Sequence, residues 1–195
     1  MRPARASRAP LGALRAIVRR RIRATRFLLT VSVARQTVTL WEKSKPSADS
    51  KRKRKGSAPA YEFRGRYVAS TSRFGMGQKI DSNRTPLGLH QVARKIGGDQ
   101  PEGTVFKARV PIGTLADMPN ATIVHRILWL AGLEQGLNRG GDVDTFRRYI
   151  YIHGFGDEST LGRPMSCGCV HLAAADLLPL YDLVPTGTLV WVGRR

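Results

Sequence analysis

Residues 152–172, IHGFGDESTLGRPMSCGCVHL, contain both cysteines of the chain and two of its four histidines. Thiols and imidazoles at this density are typical of a metal site, a redox pair or a nucleophilic cysteine with its base. The run that leads in, RRYIYIHG (147–154), is apolar, aromatic and β-branched, which predicts a buried strand. The run that follows, LAAADLLPLYDLV (172–184), predicts a helix with Leu172, Ala175, Leu178 and Leu183 close to one face.

Outside this stretch the sequence is a series of short strand patterns separated by turn residues. The patterns are FLLTVSV (27–33), TVTLW (37–41), YEFRGRYVASTS (61–72), GLHQVARKI (88–96), TVFKARVPIG (104–113), ATIVHRILWLAGL (121–133) and TLVWVG (188–193). Many short strands with one late helix predict a mainly β fold, a sandwich-like or barrel-like domain that carries one or two short helices.

The basic charge of the chain is concentrated near its N-terminus. The 195 residues have a formal net charge of +19. Residues 1–66 carry 19 Lys and Arg against 3 Asp and Glu, whereas residues 67–195 carry 14 against 11. We therefore expect a basic N-terminal arm over residues 1–26 and a domain over residues 27–195, with a basic loop insertion at about residues 43–60.

The two basic segments predict an anionic partner. Residues Leu14, Ile17, Val18 and Ile22 fall at helical spacing, so the arm is either a short amphipathic helix or a disordered tail. Such segments bind an anionic wall polymer or a membrane surface, with nucleic acid as the less favoured partner. No apolar run approaches the roughly 18–20 residues that span a bilayer, and no clear signal-peptide pattern is present.

Spacing argues against two of the three chemistries for residues 152–172. A Cys2His2 zinc set would need Cys167, Cys169, His153 and His171. Cys-x-Cys is cramped for two ligands of one tetrahedral ion, and a disulfide across a single residue is strained. The sequence therefore predicts neither a metal nor another cofactor.

Acyl transfer by a cysteine is the remaining chemistry. Cys169 lies in SCGCV (166–170), a turn of small residues that can expose a thiol and direct backbone N–H groups at an oxyanion. His153, at the end of the preceding strand, is the candidate base, and a loop can return the chain to it. From spacing alone, an inert buried thiol and a core histidine remain alternatives.

Four segments resemble the L,D-transpeptidase catalytic domain, the YkuD fold. They are RTPLGLHQV (84–92), RILWLAGLEQGLNRGGDVDTFRRYIYIHG (126–154), GRPMSCGCVHL (162–172) and LLPLYDLVPTGTLVWV (177–192). The resemblance runs from about Leu28 to Val192. The family signature is His-Gly, a variable loop, then Ser/Thr-His-Gly-Cys, an aliphatic residue and Arg.

The resemblance implies a β-sandwich-like fold and peptidoglycan stem peptides as the substrate. The family cleaves a tetrapeptide stem before its terminal D-Ala and passes the acyl group through a thioester to an acceptor amine, in cross-linking or protein attachment. Cys169 would be the nucleophile and His153 its base. Gly168 and Cys169 N–H would form the oxyanion hole, in a turn shaped by Ser166, Cys167 and Gly168. Gly154 would orient the His153 ring, and Pro86 and Gly88 are interpreted as structural.

The chain departs from the family signature at two positions. Cys167 replaces the usual His before the Gly, and His171 replaces the usual Arg after the aliphatic residue. A neutral imidazole binds a carboxylate less well than Arg does, so these positions bear on substrate preference. His171 is also a second candidate partner for Cys169.

The implied function has two alternatives and an expected location. With water as acceptor, the same site would be an L,D-carboxypeptidase. If the catalytic turn has decayed, the chain would be a wall-binding module anchored by its basic arm. The implied substrate predicts a periplasmic or cell-envelope location, although the sequence shows no clear signal peptide.

Overall fold

The computed structural model describes residues 9–45 and 58–195. Strands β1 to β10 in this part of the chain are Phe27–Ser32, Thr37–Lys43, Tyr61–Ser70, Gly88–Ile96, Thr104–Lys107, Val110–Thr114, Val124–Gly132, Tyr151–Gly154, Val170–Leu172 and Leu189–Gly193. The two α-helices are α1 (Leu11–Arg19) and α2 (Ala174–Leu183). Short 3-10 turns lie at Gly141–Val143 and Glu158–Thr160.

Eight of the strands close into a barrel. Their order is β4-β10-β1-β2-β3-β9-β8-β7, and β7 pairs again with β4. Strands β1 and β10 are parallel, as are β8 and β9, and the other neighbours are antiparallel. The β5–β6 hairpin is attached to the outside of this barrel by the pairing of β5 with β7. The prediction of a mainly β, barrel-like fold with one or two short helices is confirmed.

The barrel interior is filled by alternate residues of its strands. Since successive side chains of a strand point to opposite faces, Leu29 and Val31 of β1 and Leu128 and Leu130 of β7 all face inward and are fully buried. Helix α2 packs into the same core. Burial of this continuous apolar surface is the main stabilising contribution to the fold.

The expected face of α2 is wrong. The helix buries Leu177, Leu180 and Tyr181, whereas Leu183 is 45% exposed. Leucines lie on several sides of this helix, so sequence periodicity does not select one face. The buried face of α2 is determined by its contacts with strands β7 and β8 of the barrel wall.

Two other elements differ from the sequence patterns. Residues 104–113, expected as one strand, form strands β5 and β6 joined by a turn at Ala108 and Arg109, which both have positive φ. The turn SCGCV leads directly into a three-residue strand, β9. A strand this short has too few residues to show alternation, and it exists only because its neighbours β3 and β8 pair with it.

Helix α1 is the described part of the basic arm that packs on the barrel. Its Ala13 and Ile17 are buried against an outer apolar patch that includes Leu28, Leu89 and Leu189. Beyond the helix, Arg20 forms an ion pair with the buried Glu134 carboxylate at 2.7 Å. Residues 11–20 are therefore part of the folded body.

Parts of both predicted basic segments lie outside the described residues. These parts are residues 1–8 of the arm and residues 46–57 of the loop insertion. Within the described ranges, no helix is both long and apolar enough to cross a bilayer.

Replacing Ile17 by Ala should destabilise the whole domain, because the helix face that it anchors covers the barrel. Removing a buried Ile side chain costs about 2–5 kcal/mol of unfolding free energy. Urea unfolding followed by tryptophan fluorescence measures this change. Leu11→Ala is the matched control, since Leu11 lies in the same helix and is 68% exposed. Equal stability of the two variants would mean that α1 is not docked in solution.

Candidate active site

The parallel pairing of β8 with β9 places the predicted site residues on one outer face. Ile152 pairs with Val170 and His153 with His171. Ile152 and Val170 both belong to the interior core. By alternation, the residues on either side of them face outward. Cys169 meets this outer face one residue before β9 begins, where it packs against an outer apolar cluster formed by Phe106, Ile127, Trp129 and Tyr151.

The Cys169 thiol is held by backbone groups at the start of β8. Its Sγ accepts a hydrogen bond from Tyr151 N–H at 3.4 Å and donates to the Tyr149 carbonyl at 3.5 Å. Burial raises the pKa of the Cys169 thiol to about 11, although the Tyr151 N–H and the nearby Arg148 charge favour the thiolate. The side chain retains partial exposure, so the resting thiol is protonated and reachable.

The His153 ring is buried and has a defined tautomer. Its Nδ1 lies 2.7 Å from the Gly154 carbonyl oxygen, which accepts only, so Nδ1 carries the proton and donates. Burial lowers the pKa of His153 to about 4, so the imidazole is neutral at pH 7. Nε2 therefore holds a free lone pair, which a general base needs.

His171 also belongs to this outer face. Its ring centroid lies 4.8 Å from that of His153, in an edge-on arrangement, and 4.6 Å from the parallel ring of Phe155. Burial and the neighbouring His153 lower the pKa of His171 to about 2. His171 is thus a neutral imidazole that packs between the rings of His153 and Phe155. It supplies no positive charge to the site.

The turn before Cys169 is braced by Ser166. Its hydroxyl donates to the Cys169 carbonyl at 2.6 Å and accepts from Gly168 N–H at 3.2 Å. Gly168 N–H, expected in the oxyanion hole, is thus engaged inside the turn. Among the described residues, Cys169 N–H has no hydrogen-bond acceptor. Cys167 is exposed at the outside of the turn.

Glycine is required sterically at two of the predicted positions. A Cβ on Gly154 would lie 2.7 Å from the Val124 carbonyl oxygen and 2.5 Å from the His125 ring. Gly88 has a φ of +103°, and a Cβ there would meet the Glu134 carboxylate. Neither contact is tolerable for a Cβ. Gly154 therefore lets β8 approach β7 closely, and Gly88 has a structural role at the start of β4.

Arg148 is a site residue that the sequence did not reveal. Its guanidinium donates to the carbonyls of Gly77, Gln78 and Arg84, at 3.2, 2.8 and 2.6 Å. The Arg84 carbonyl also lies against Gly168, so Arg148 ties the 77–84 loop to the turn that carries Cys169. An arginine before a buried strand was the only signal, and it did not indicate this partner loop.

In the part of the chain that the structure describes, no group of three or more His, Cys, Asp or Glu side chains is arranged to hold a metal ion. The predicted thiols and imidazoles separate instead into an exposed Cys167 and an outer-face group of Cys169, His153 and His171. The Cys169 thiol and the two neutral imidazoles thus belong to the same face of the barrel wall.

Comparison with protein families identifies the family of the domain. The family model of the L,D-transpeptidase catalytic domain, YkuD, matches residues 26–192. The chain belongs to this family, as the resemblance indicated. No curated protein matches the sequence significantly.

Solved structures are similar to the chain at low sequence identity, and one of them has a TM-score above 0.5. Bd1075 of Bdellovibrio bacteriovorus superposes with a TM-score of 0.53 at 14% identity, covering 88% of this chain and 49% of that one. An L,D-transpeptidase from Mycobacterium smegmatis has a TM-score of 0.48 at 19% identity, covering 86% and 58%. L,D-transpeptidase 3 from Mycobacterium tuberculosis, in complex with a faropenem-derived adduct, has a TM-score of 0.48 at 18% identity, covering 86% and 60%. The chain thus spans less than two thirds of each of these proteins.

The alkylation rate of Cys169 should rise with pH well beyond neutrality. Because burial raises the thiol pKa to about 11, the reactive thiolate increases roughly tenfold per pH unit between pH 7 and 10. Iodoacetamide labelling of a Cys167→Ser variant, read by mass spectrometry, measures this rate. The Cys169→Ser variant reports Cys167 alone. A plateau below pH 8 would contradict the protonated resting thiol.

Replacing Arg148 by Met should loosen the 77–84 loop, because its carbonyls lose a charged donor. Hydrogen bonds to a charged group are worth about 1.5–3 kcal/mol, so amide exchange in this loop should accelerate at least about tenfold. Hydrogen–deuterium exchange measures it. Arg147→Met is the matched control, since the neighbouring Arg147 side chain is exposed. Unchanged exchange in the Arg148 variant would show that the loop is held by other contacts.

Proposed function

We propose that this chain is a cysteine acyl-transferase that acts on peptidoglycan tetrapeptide stems. Cys169 forms a thioester with the stem peptide, the terminal D-Ala is released, and an acceptor amine takes the acyl group. Membership of the L,D-transpeptidase family supports the substrate class. One observation supports the chemistry above all others: Cys169 and His153 occupy one outer face, and the His153 tautomer leaves Nε2 unprotonated.

The reaction begins from a neutral thiol and a neutral imidazole. Because the pKa of Cys169 is raised and that of His153 is lowered, a resting thiolate–imidazolium pair is disfavoured. His153 Nε2 therefore takes the thiol proton as Sγ attacks the amide carbonyl carbon. The tetrahedral intermediate carries an oxyanion and His153 a positive charge.

The backbone of the turn stabilises the charge that develops. Cys169 N–H, which has no acceptor among the described residues, is the proposed oxyanion donor, and an N–H aimed at developing charge is the largest common catalytic contribution. Gly168 N–H joins it only if the turn releases it from Ser166 Oγ. Otherwise, the role of Ser166 is to fix the backbone position of Cys169 through the hydrogen bond to its carbonyl.

The second half of the reaction returns the protein to its starting state. The C–N bond breaks as imidazolium His153 gives its proton to the D-Ala amine, which leaves the acyl group on Cys169 as a thioester. The acceptor amine then attacks the thioester carbonyl and gives a proton to His153. The C–S bond breaks, and the Cys169 thiolate regains that proton.

The two departures from the family signature differ in position: Cys167 lies on the exposed side of the turn, and His171 lies against the proposed base. Cys167 is exposed and contributes its backbone to the turn. His171, buried against Phe155 and His153, keeps the ring of His153 in a dry environment where the neutral form is favoured. The proposed base is thus supported by packing where the family usually has a charge.

The proposed substrate also sets the expected location and partners. The family acts on the cell wall, which supports a location in the periplasm or the cell envelope. The basic surface around α1 then lies where anionic wall polymers and membrane surfaces are available as partners. Arg15 and Arg19 are exposed on that helix while its opposite face is buried on the barrel.

Turnover of a disaccharide-tetrapeptide, with products identified by mass spectrometry, tests the proposal. Wild type should release D-Ala and form an amine-linked product, whereas Cys169→Ala should be inactive and His153→Gln should lose at least about 100-fold in kcat/KM. Cys167→Ala is the matched control and should retain activity. Release of D-Ala without amine transfer would assign an L,D-carboxypeptidase. Inertness of wild type, with peptide still bound, would assign a wall-binding module.

The pH profile of kcat/KM should lack the decline that an ordinary histidine base causes near pH 6.5. Protonated His153 cannot accept a proton, and its pKa is lowered to about 4, so activity falls only as pH drops toward that value. Steady-state assays between pH 4 and 8 measure this, with circular dichroism as the control for folding. An acid limb centred at 6.5 in folded protein would contradict a buried, neutral His153.

A further inference from the structure

The tip of the β5–β6 hairpin brings an arginine to the edge of the active site. Ala108 and Arg109 form its two-residue turn with φ values of +49° and +70°, a turn that fits the twist of a hairpin. The Arg109 guanidinium lies 5.1 Å from the Trp129 ring centroid and 4.9 Å from that of Tyr149. Stacking on aromatic faces orients the planar guanidinium and leaves its N–H edge available.

Arg109 is linked to the nucleophile through two tyrosines. Its guanidinium lies beside the Tyr151 phenol and favours the ionised form of that group, although burial is the larger effect and raises the Tyr151 pKa. Tyr151 N–H is also the donor to Cys169 Sγ. The ring of Tyr149 packs against the Arg109 guanidinium, and its carbonyl accepts a hydrogen bond from the Cys169 thiol.

The backbone of Tyr149 is in a conformation that a tyrosine rarely adopts. Its φ is +54°, in the left-handed region, and its side chain is 51% exposed. Such a conformation is strained for a residue with a Cβ and persists where the surrounding structure requires it. Here it presents the ring to Arg109 while the carbonyl faces the thiol.

Among the described residues, no acidic side chain pairs with the charge of Arg109. The ion pairs among the described residues join Arg20 to Glu134, Arg26 and Arg64 to Glu42, and Arg64 to Glu62. Arg109 is half-buried, and within the described ranges its guanidinium has the neutral Tyr151 hydroxyl as a polar neighbour but no acidic partner. Arg148, on the other side of the turn, is already occupied by loop carbonyls.

A partly desolvated guanidinium without an acidic partner is costly unless a ligand supplies the anion. A carboxylate fits its fork geometry with two parallel N–H···O hydrogen bonds. We propose that Arg109, presented by Trp129 and Tyr149, binds a carboxylate of the donor stem peptide and so determines substrate specificity. This inference rests on the proposed acyl transfer at Cys169. Arg109 then carries a positive charge that His171, as a neutral imidazole, does not supply.

The carboxylate has two sources in a stem peptide: the C-terminal D-Ala carboxylate, which leaves, or an internal carboxylate, which stays with the acyl group. Three matched tetrapeptides separate them, one with both carboxylates free, one amidated at the C-terminus and one amidated internally. Turnover of each by wild type, Arg109→Gln, Arg109→Lys and Arg94→Gln is compared. Arg94 is the control, since its exposed guanidinium also lies over Trp129, at 5.6 Å.

Wild type should prefer the free carboxylate at one of the two positions by about 10- to 100-fold in kcat/KM. Arg109→Gln should abolish that preference, Arg109→Lys should restore part of it, and Arg94→Gln should keep it. The position whose amidation matters identifies the source. Equal losses on all three peptides in Arg109→Gln would overturn the inference, because a purely structural role for the hairpin changes activity without changing selectivity.

Binding to the inactive Cys169→Ala variant separates this inference from the proposed reaction. Isothermal titration calorimetry with the same three peptides should show the same preference, and the preference should be absent from the Cys169→Ala/Arg109→Gln double variant. If wild type turns over no peptide but this binding preference is found, the acyl transfer fails and the carboxylate site stands. If Cys169→Ala binds the three peptides equally, the carboxylate site is refuted even where wild type is active.

Discussion

The parallel pairing of β8 with β9 is the constraint on which the candidate site depends. It aligns His153 with His171 and Ile152 with Val170, so the apolar pair closes the barrel core while the imidazoles face outward. A one-residue slip in this register would turn His153 into the apolar interior. Such a slip would lose the buried aliphatic contacts of Ile152 and Val170. The packing of the barrel interior therefore also fixes the orientation of the thiol and of the proposed base.

Burial sets the protonation states at this wall. Cys169 packs beside an aromatic cluster, and His153 and His171 lie edge to face with little water around them. A low-dielectric environment disfavours every charged form, which raises the pKa of the thiol and lowers that of both imidazoles. The proposed mechanism follows from this balance, because charge then appears only during attack, where backbone N–H groups can meet it.

The barrel has three apolar surfaces, and each is covered by a different element. Helix α2 packs against the interior cluster, and helix α1 packs against one outer patch. The outer cluster beside Cys169 lies where the β5–β6 hairpin is attached. Arg148 and Arg109 contact the surroundings of Cys169 in different ways, the first through loop carbonyls and the second through aromatic rings. Peripheral segments that look independent in the sequence are thereby attached to one rigid wall.

The sequence by itself determined the strand-rich fold class, most strand positions, the family, and the pairing of Cys169 with His153 as candidates. Alternation and turn residues are local signals, and the signature around Cys169 is contiguous. Only the tertiary structure decided which face of α2 is buried, that residues 104–113 fold into a hairpin, and that three-residue β9 exists. It also decided that Arg109 and Arg148 reach the site, because these contacts join residues 20 to 71 positions apart and depend on how the barrel closes.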